Sequence, residues 1–144
     1  MSGLIYHQTV IILAPITKVW EALTNPDSTP KYISGCEMIS SFEKESPVIW
    51  RNIKGNIDHV TGKVLECEPQ KHLSFTAFDP STGYIDEPVN YLTTSYSLFP
   101  EAKGTRLEIS QGDFTVVENG SQRYKEAVIS WEMNLASFKR MLED

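Results

Sequence analysis

The sequence predicts an α+β fold. A curved antiparallel sheet of six to seven strands wraps around one long C-terminal helix, with two short helices after the first strand. Three observations predict it. Residues 36–114 break into short β-branched and aromatic segments divided by turn residues. From Tyr124 to Leu142, apolar residues recur at alternating steps of four and three. The chain has 144 residues, 40% apolar and 22% charged, enough to bury a core as a single domain over 1–144 without disulfide or metal.

The elements follow in order. "LIYHQTVIIL" (4–13) has strand composition. Pro15 suits the first turn of a helix whose inner face carries Ile16, Val19, Trp20 and Leu23. Asn25-Pro26 stops that helix, and a short second helical turn is expected over 27–33. "CEMISSF" and "VIWRNI" are strands, and "KGN" is a hairpin turn with Gly55 at positive φ. "IDHVTGKVLECE" is long for one strand, and Gly62 in its middle marks a bulge or bend. "PQKH" turns the chain into "LSFTAF". Residues 79–90, with Gly83, Pro80 and Pro88, form a loop. "NYLTTSYSLF" and "TRLEISQGDF" close a meander of sequential antiparallel strands. The last helix is capped by Asn119 or Ser121, with Gln122 placed for a capping box. Its stripe runs through Tyr124, Val128, Trp131, Leu135, Phe138 and Leu142.

Composition excludes several function classes. A net charge of −6 argues against a nucleic-acid surface. No apolar run is long enough to span a membrane. The N-terminus lacks a basic region and a cleavage site, so a cytoplasmic location is expected, with free thiols at Cys36 and Cys67. The Asn119-Gly120-Ser121 sequon is then a chance match. No nucleophile, phosphate-loop or dinucleotide signature occurs. His7, His59 and His72 show no metal-ligand spacing, so neither a metal nor another cofactor is expected. Alternation sends Asp58 and His59 to opposite faces. It also sends Arg51 and Arg106 outward if Trp50 and Leu107 point in. Glu66 and Glu68 share a face and read as a solvated pair. Trp20 reads as helix packing.

Four stretches resemble one family. They are "APITKVWEALTNP" (14–26), "GKVLECEPQKHLSFT" (62–76), "SYSLFPEAKGTRLEISQGDF" (95–114) and "WEMNLASFKRMLE" (131–143). Together they frame nearly the whole chain. The chain is similar to START-like, helix-grip proteins (the Bet v 1-like superfamily), in the group related to the C-terminal domain of activators of the Hsp90 ATPase. It departs from that group at Ser130, where glycine is frequent, and at Tyr32, where tryptophan is frequent.

The resemblance implies a cavity between sheet and helix. A domain binding an apolar, lipid- or polyketide-like small molecule is therefore expected, with no catalytic residue assigned. Trp50, Phe75, Trp131, Leu135 and Phe138 would supply contact area, and Tyr91 or Tyr96 a hydrogen bond. Loop 79–90 would gate the mouth. A protein-interaction module is the alternative, with a protein partner as the group's name implies. A cyclase- or hydrolase-type enzyme is the second alternative, and it needs an inward ionisable group among His7, His59 and Glu66.

Overall fold

The computed structural model describes residues 3–33 and 35–143. Ser34 and the ends of the expected 1–144 domain (Met1, Ser2 and Asp144) lie outside the described residues. The strands are β1 (Tyr6–Ile12), β2 (Cys36–Ile39), β3 (Pro47–Asn52), β4 (Asp58–Glu68), β5 (His72–Ala77), β6 (Leu92–Glu101) and β7 (Gly104–Gly112). They form a seven-stranded antiparallel sheet in the order β1-β7-β6-β5-β4-β3-β2. Helix α1 (Ile16–Thr24) follows β1, and α2 (Gly120–Glu143) ends the chain. The sheet curls around α2, which is the helix-grip architecture.

Alternation fixes what each strand offers the core. Along β1, Tyr6 and Ile12 are buried while His7, Thr9 and Ile11 are exposed. Along β6, Leu92, Thr94, Tyr96 and Leu98 turn inward. In α1, Val19, Ala22 and Leu23 are buried, and Ile16 and Trp20 pack at their edge. Pro15 stands one residue before the helix, as its N-cap. The helix stops at Asn25, held extended (ψ 122°) before Pro26. The expected second helix is a single 3-10 turn, Thr29–Lys31. Its successor Tyr32 donates from Oη to the Leu23 carbonyl at 3.1 Å, satisfying one open group at the end of α1.

Two local expectations are corrected. In the β3–β4 turn the left-handed residue is Asn56 (φ 53°), not Gly55. Asn tolerates that conformation, and Asn52 Oδ1 accepts from the Gly55 amide at 2.9 Å to hold the turn. The capping box at α2 does not form. Asn119 is itself left-handed (φ 58°), and its side chain donates to Tyr84 Oη at 3.2 Å. Gln122 donates to Glu126 instead, at 3.2 Å.

Strand β4 is one long element with a bend, which is how the sheet curls. It pairs with β3 over its first half and β5 over its second, with a register shift between Val64 and Glu66. At Gly62 the two strands come so close that a Cβ would strike the Thr76 carbonyl oxygen. Only glycine fits there.

Helix α2 is about 36 Å long. Trp131, Leu135 and Phe138 are its buried residues. Its C-terminal end is fastened to the chain before α1. Lys139 Nζ donates to the Ile11 carbonyl at 2.9 Å, and Glu143 accepts from the Leu13 amide at 2.9 Å.

A cavity under the first half of the long helix

A cavity of about 450 Å³ lies between the sheet and the first half of α2. Its floor is apolar, built from Trp50 of β3, Phe75 and Ala77 of β5, and Leu92 of β6. Phe75 and Leu92 reach it because they sit on the inward parity of their strands. Its roof is one face of α2: Arg123, Ala127, Ser130, Trp131 and Asn134 recur at helical spacing. Asp79, Thr82 and Tyr84 form the rim.

A polar relay crosses this wall. Trp131 Nε1 donates to Gln111 Oε1 at 3.1 Å, and Gln111 Nε2 donates to Thr94 Oγ1 at 2.8 Å. Around Trp131 pack Trp50 and Tyr96, with ring centroids 6.5 and 6.1 Å away. Neither Trp50 Nε1 nor Tyr96 Oη has a hydrogen-bond partner among the described residues. Burial holds the Tyr96 hydroxyl far above its ordinary pKa, so it stays protonated.

The seven expected contact residues divide. Trp50, Phe75 and Trp131 stand together on the cavity wall. Leu135 and Phe138 sit farther along α2, where the space is filled; Phe138 packs edge-on against Tyr32 at 4.7 Å. Tyr96 lies behind Phe75 and Trp131, fully buried. Tyr91 is on the opposite parity from Tyr96 and faces away from the cavity. It stacks on Phe78 at 5.0 Å, and its hydroxyl donates to Asp86 Oδ1 at 2.6 Å. Tyr91 is therefore no source of a hydrogen bond into this space. Of the two departures from the family pattern, Ser130 lines the cavity and Tyr32 belongs to the filled core.

Among the ionisable candidates, only His59 reaches the cavity. His7 and Glu66 are exposed on the outer face. His72 pairs with Ser97 Oγ at 2.9 Å. Asp58 turns away from His59 and pairs with Arg51 at 2.7 Å, which holds the Asp58 carboxyl below its ordinary pKa. The His59 side chain makes no hydrogen bond among the described residues. Arg106 lies on the outer face between Glu101 and Glu108.

Sequence reasoning missed Arg123, Gln111, Ala127 and Cys36 on this wall. Ala127 and Arg123 are legible from helical spacing back from Trp131. Cys36 and Gln111 needed the register of strands distant in sequence. Burial, and then the Asp79 carboxylate, push the Cys36 thiol pKa up, which suppresses thiolate chemistry. Among the described residues no three His, Cys, Asp or Glu side chains gather as a metal site. No helix there is long and apolar enough to cross a membrane.

Loop 79–90 is tied to the start of α2. Asn90 Oδ1 accepts from the Glu118 amide at 2.9 Å, and Arg123 lies over the Tyr84 ring at 4.6 Å.

The family model described as activator of Hsp90 ATPase homolog 1-like protein matches residues 13–143. No curated protein matches the sequence. Among solved structures, a Cytophaga hutchinsonii protein determined in solution is 31% identical, with TM-score 0.78 over 99% of this chain and 97% of that one. The Aha1 dimer of Colwellia psychrerythraea is 17% identical, with TM-score 0.72 over 97% and 96%. DynU16, from the dynemicin biosynthetic locus, is 19% identical, with TM-score 0.76 over 96% of this chain and 47% of that one. The last two likenesses are of fold.

Proposed function

The chain belongs to the activator of Hsp90 ATPase homolog 1-like family, and from that premise we propose that it is a cytoplasmic binding domain for an apolar small molecule. The observation that carries this reading is the open space of about 450 Å³ under α2. Protein interiors otherwise pack to near-crystal density, so an apolar-floored space of this size under the helix supports a binding role. It falls in the range of small-molecule pockets, roughly 300–1,000 Å³. Trp50, Phe75 and Trp131 offer flat apolar area to a lipid- or polyketide-like body. His59, Thr94 and Ser130 offer a few polar groups to orient it. Binding follows from desolvating the ligand against that floor.

Native mass spectrometry of protein purified from its own host tests the proposal. A retained small molecule, identified after extraction and lost on Ala127→Trp, supports it. Protein that arrives empty and takes up no aliphatic or aromatic probe sinks it.

A protein-docking role is favoured by one separate observation. Ile129 and Met133, one turn apart on α2, are 62% and 67% exposed. Replacing both with glutamate would abolish association with a protein partner while leaving small-molecule uptake intact.

A further inference from the structure

We infer that the ligand carries a carboxylate at its polar end and that Arg123 binds it. The inference rests on the cavity reading and adds a ligand class and an anchor to it. Arg123 lines the cavity from the first turn of α2. Its guanidinium is held by neutral partners. Nη1 donates to the Glu118 carbonyl at 3.2 Å, Nη2 donates to the Asn90 carbonyl at 3.4 Å, and the Tyr84 ring lies beneath at 4.6 Å. These contacts set the plane of the fork without cancelling its charge, and they leave N–H groups over.

No carboxylate among the described residues pairs with Arg123, whereas Arg51 pairs with Asp58 and Arg106 with Glu101 and Glu108. The carboxylates beside the cavity are engaged locally. Asp79 Oδ1 accepts from the Ser81 amide and hydroxyl at 2.9 and 2.6 Å. Glu126 Oε2 accepts from Gln122 at 3.2 Å. The position adds a second argument. A helix N-terminus favours anions, yet the first turn of α2 holds no acidic residue and does hold Arg123. A bound anion answers both the unpaired cation and the helix dipole. A planar carboxylate matches a planar guanidinium through two parallel hydrogen bonds. Its hydrocarbon body would then lie across Trp50, Phe75 and Trp131.

The test titrates the full chain with decanoate and with 1-decanol at pH 8, following tryptophan emission. The two probes share a body and differ in the head group. The expected result is decanoate binding at least about tenfold tighter than the alcohol. Arg123→Gln should bring decanoate down to the alcohol's affinity and leave the alcohol unchanged. Equal binding of both probes by the unmodified chain overturns the inference while the cavity reading stands, and that comparison needs no variant to fold. Undiminished decanoate binding by Arg123→Gln overturns it as well. If neither probe binds, the cavity reading falls and the inference with it.

Discussion

Trp131 Nε1 donates a 3.1 Å hydrogen bond to Gln111 Oε1 and so joins the roof of the cavity to its floor. The bond has a measurable consequence. Gln111→Leu keeps the volume but leaves the buried indole N–H without its acceptor. An unsatisfied buried donor costs about 1–3 kcal/mol. Urea unfolding should show a loss of that order, with a shift in tryptophan emission reporting the changed indole environment.

Ala127→Trp fills the cavity from the helix side. Ala127 lies on the wall beside Arg123 and Trp131. The larger ring occupies existing space, so the unfolding midpoint should hold or rise while small-molecule uptake disappears. Retained uptake would place the ligand elsewhere.

Much of this was legible in the sequence, and the limits have physical causes. The stripe on α2 is local periodicity, so its length and buried residues Trp131, Leu135 and Phe138 could be read directly. Which half of the stripe roofs a void could not. That depends on side-chain volumes brought together from β3, β5, β6 and β7. Tyr91 was partly legible: it and Tyr96 differ by an odd number of positions, so one strand cannot point both inward. The turn at Gly55-Asn56 was ambiguous because either residue can adopt positive φ.

Gly62 tests the curl of the sheet. A Cβ there meets the Thr76 carbonyl oxygen, a backbone atom that cannot rotate away. Gly62→Ala should destabilise the chain by roughly 2 kcal/mol or more, because β4 and β5 must move apart to clear the added methyl group. It should also weaken probe binding, because the bend of β4 shapes the cavity. Chemical denaturation beside a binding titration measures both.

The fastening of α2 predicts a pH dependence. The hydrogen bond from Lys139, and then the one from the Leu13 amide, hold the Glu143 carboxyl below its ordinary pKa. A carboxyl with a lowered folded-state pKa stabilises the fold above its unfolded pKa, about 4.3 for glutamate. That contribution is complete at neutral pH and is lost as pH falls through the folded value. The protection factor of the Leu13 amide, its exchange rate taken relative to the intrinsic rate at each pH, should fall on acidification, and Glu143→Gln should show much of that fall already at pH 7.

Phe138→Ala separates the filled half of the helix from the open half. Phe138 is 1% exposed and packs edge-on against Tyr32, whose hydroxyl in turn holds the end of α1. Truncation leaves a cavity where the structure has none, at a cost of about 3–5 kcal/mol. Yet Phe138 is not on the wall of the space under Arg123, Ala127 and Trp131. Under conditions where the variant stays folded, decanoate affinity should therefore match that of the unmodified chain, although the unfolding midpoint drops sharply. Trp131→Ala should change both quantities, since the same ring supports the core and faces the void. If Phe138→Ala weakened binding as much as Trp131→Ala, the two halves of the stripe would be one continuous site, and the division read from the packing would be wrong.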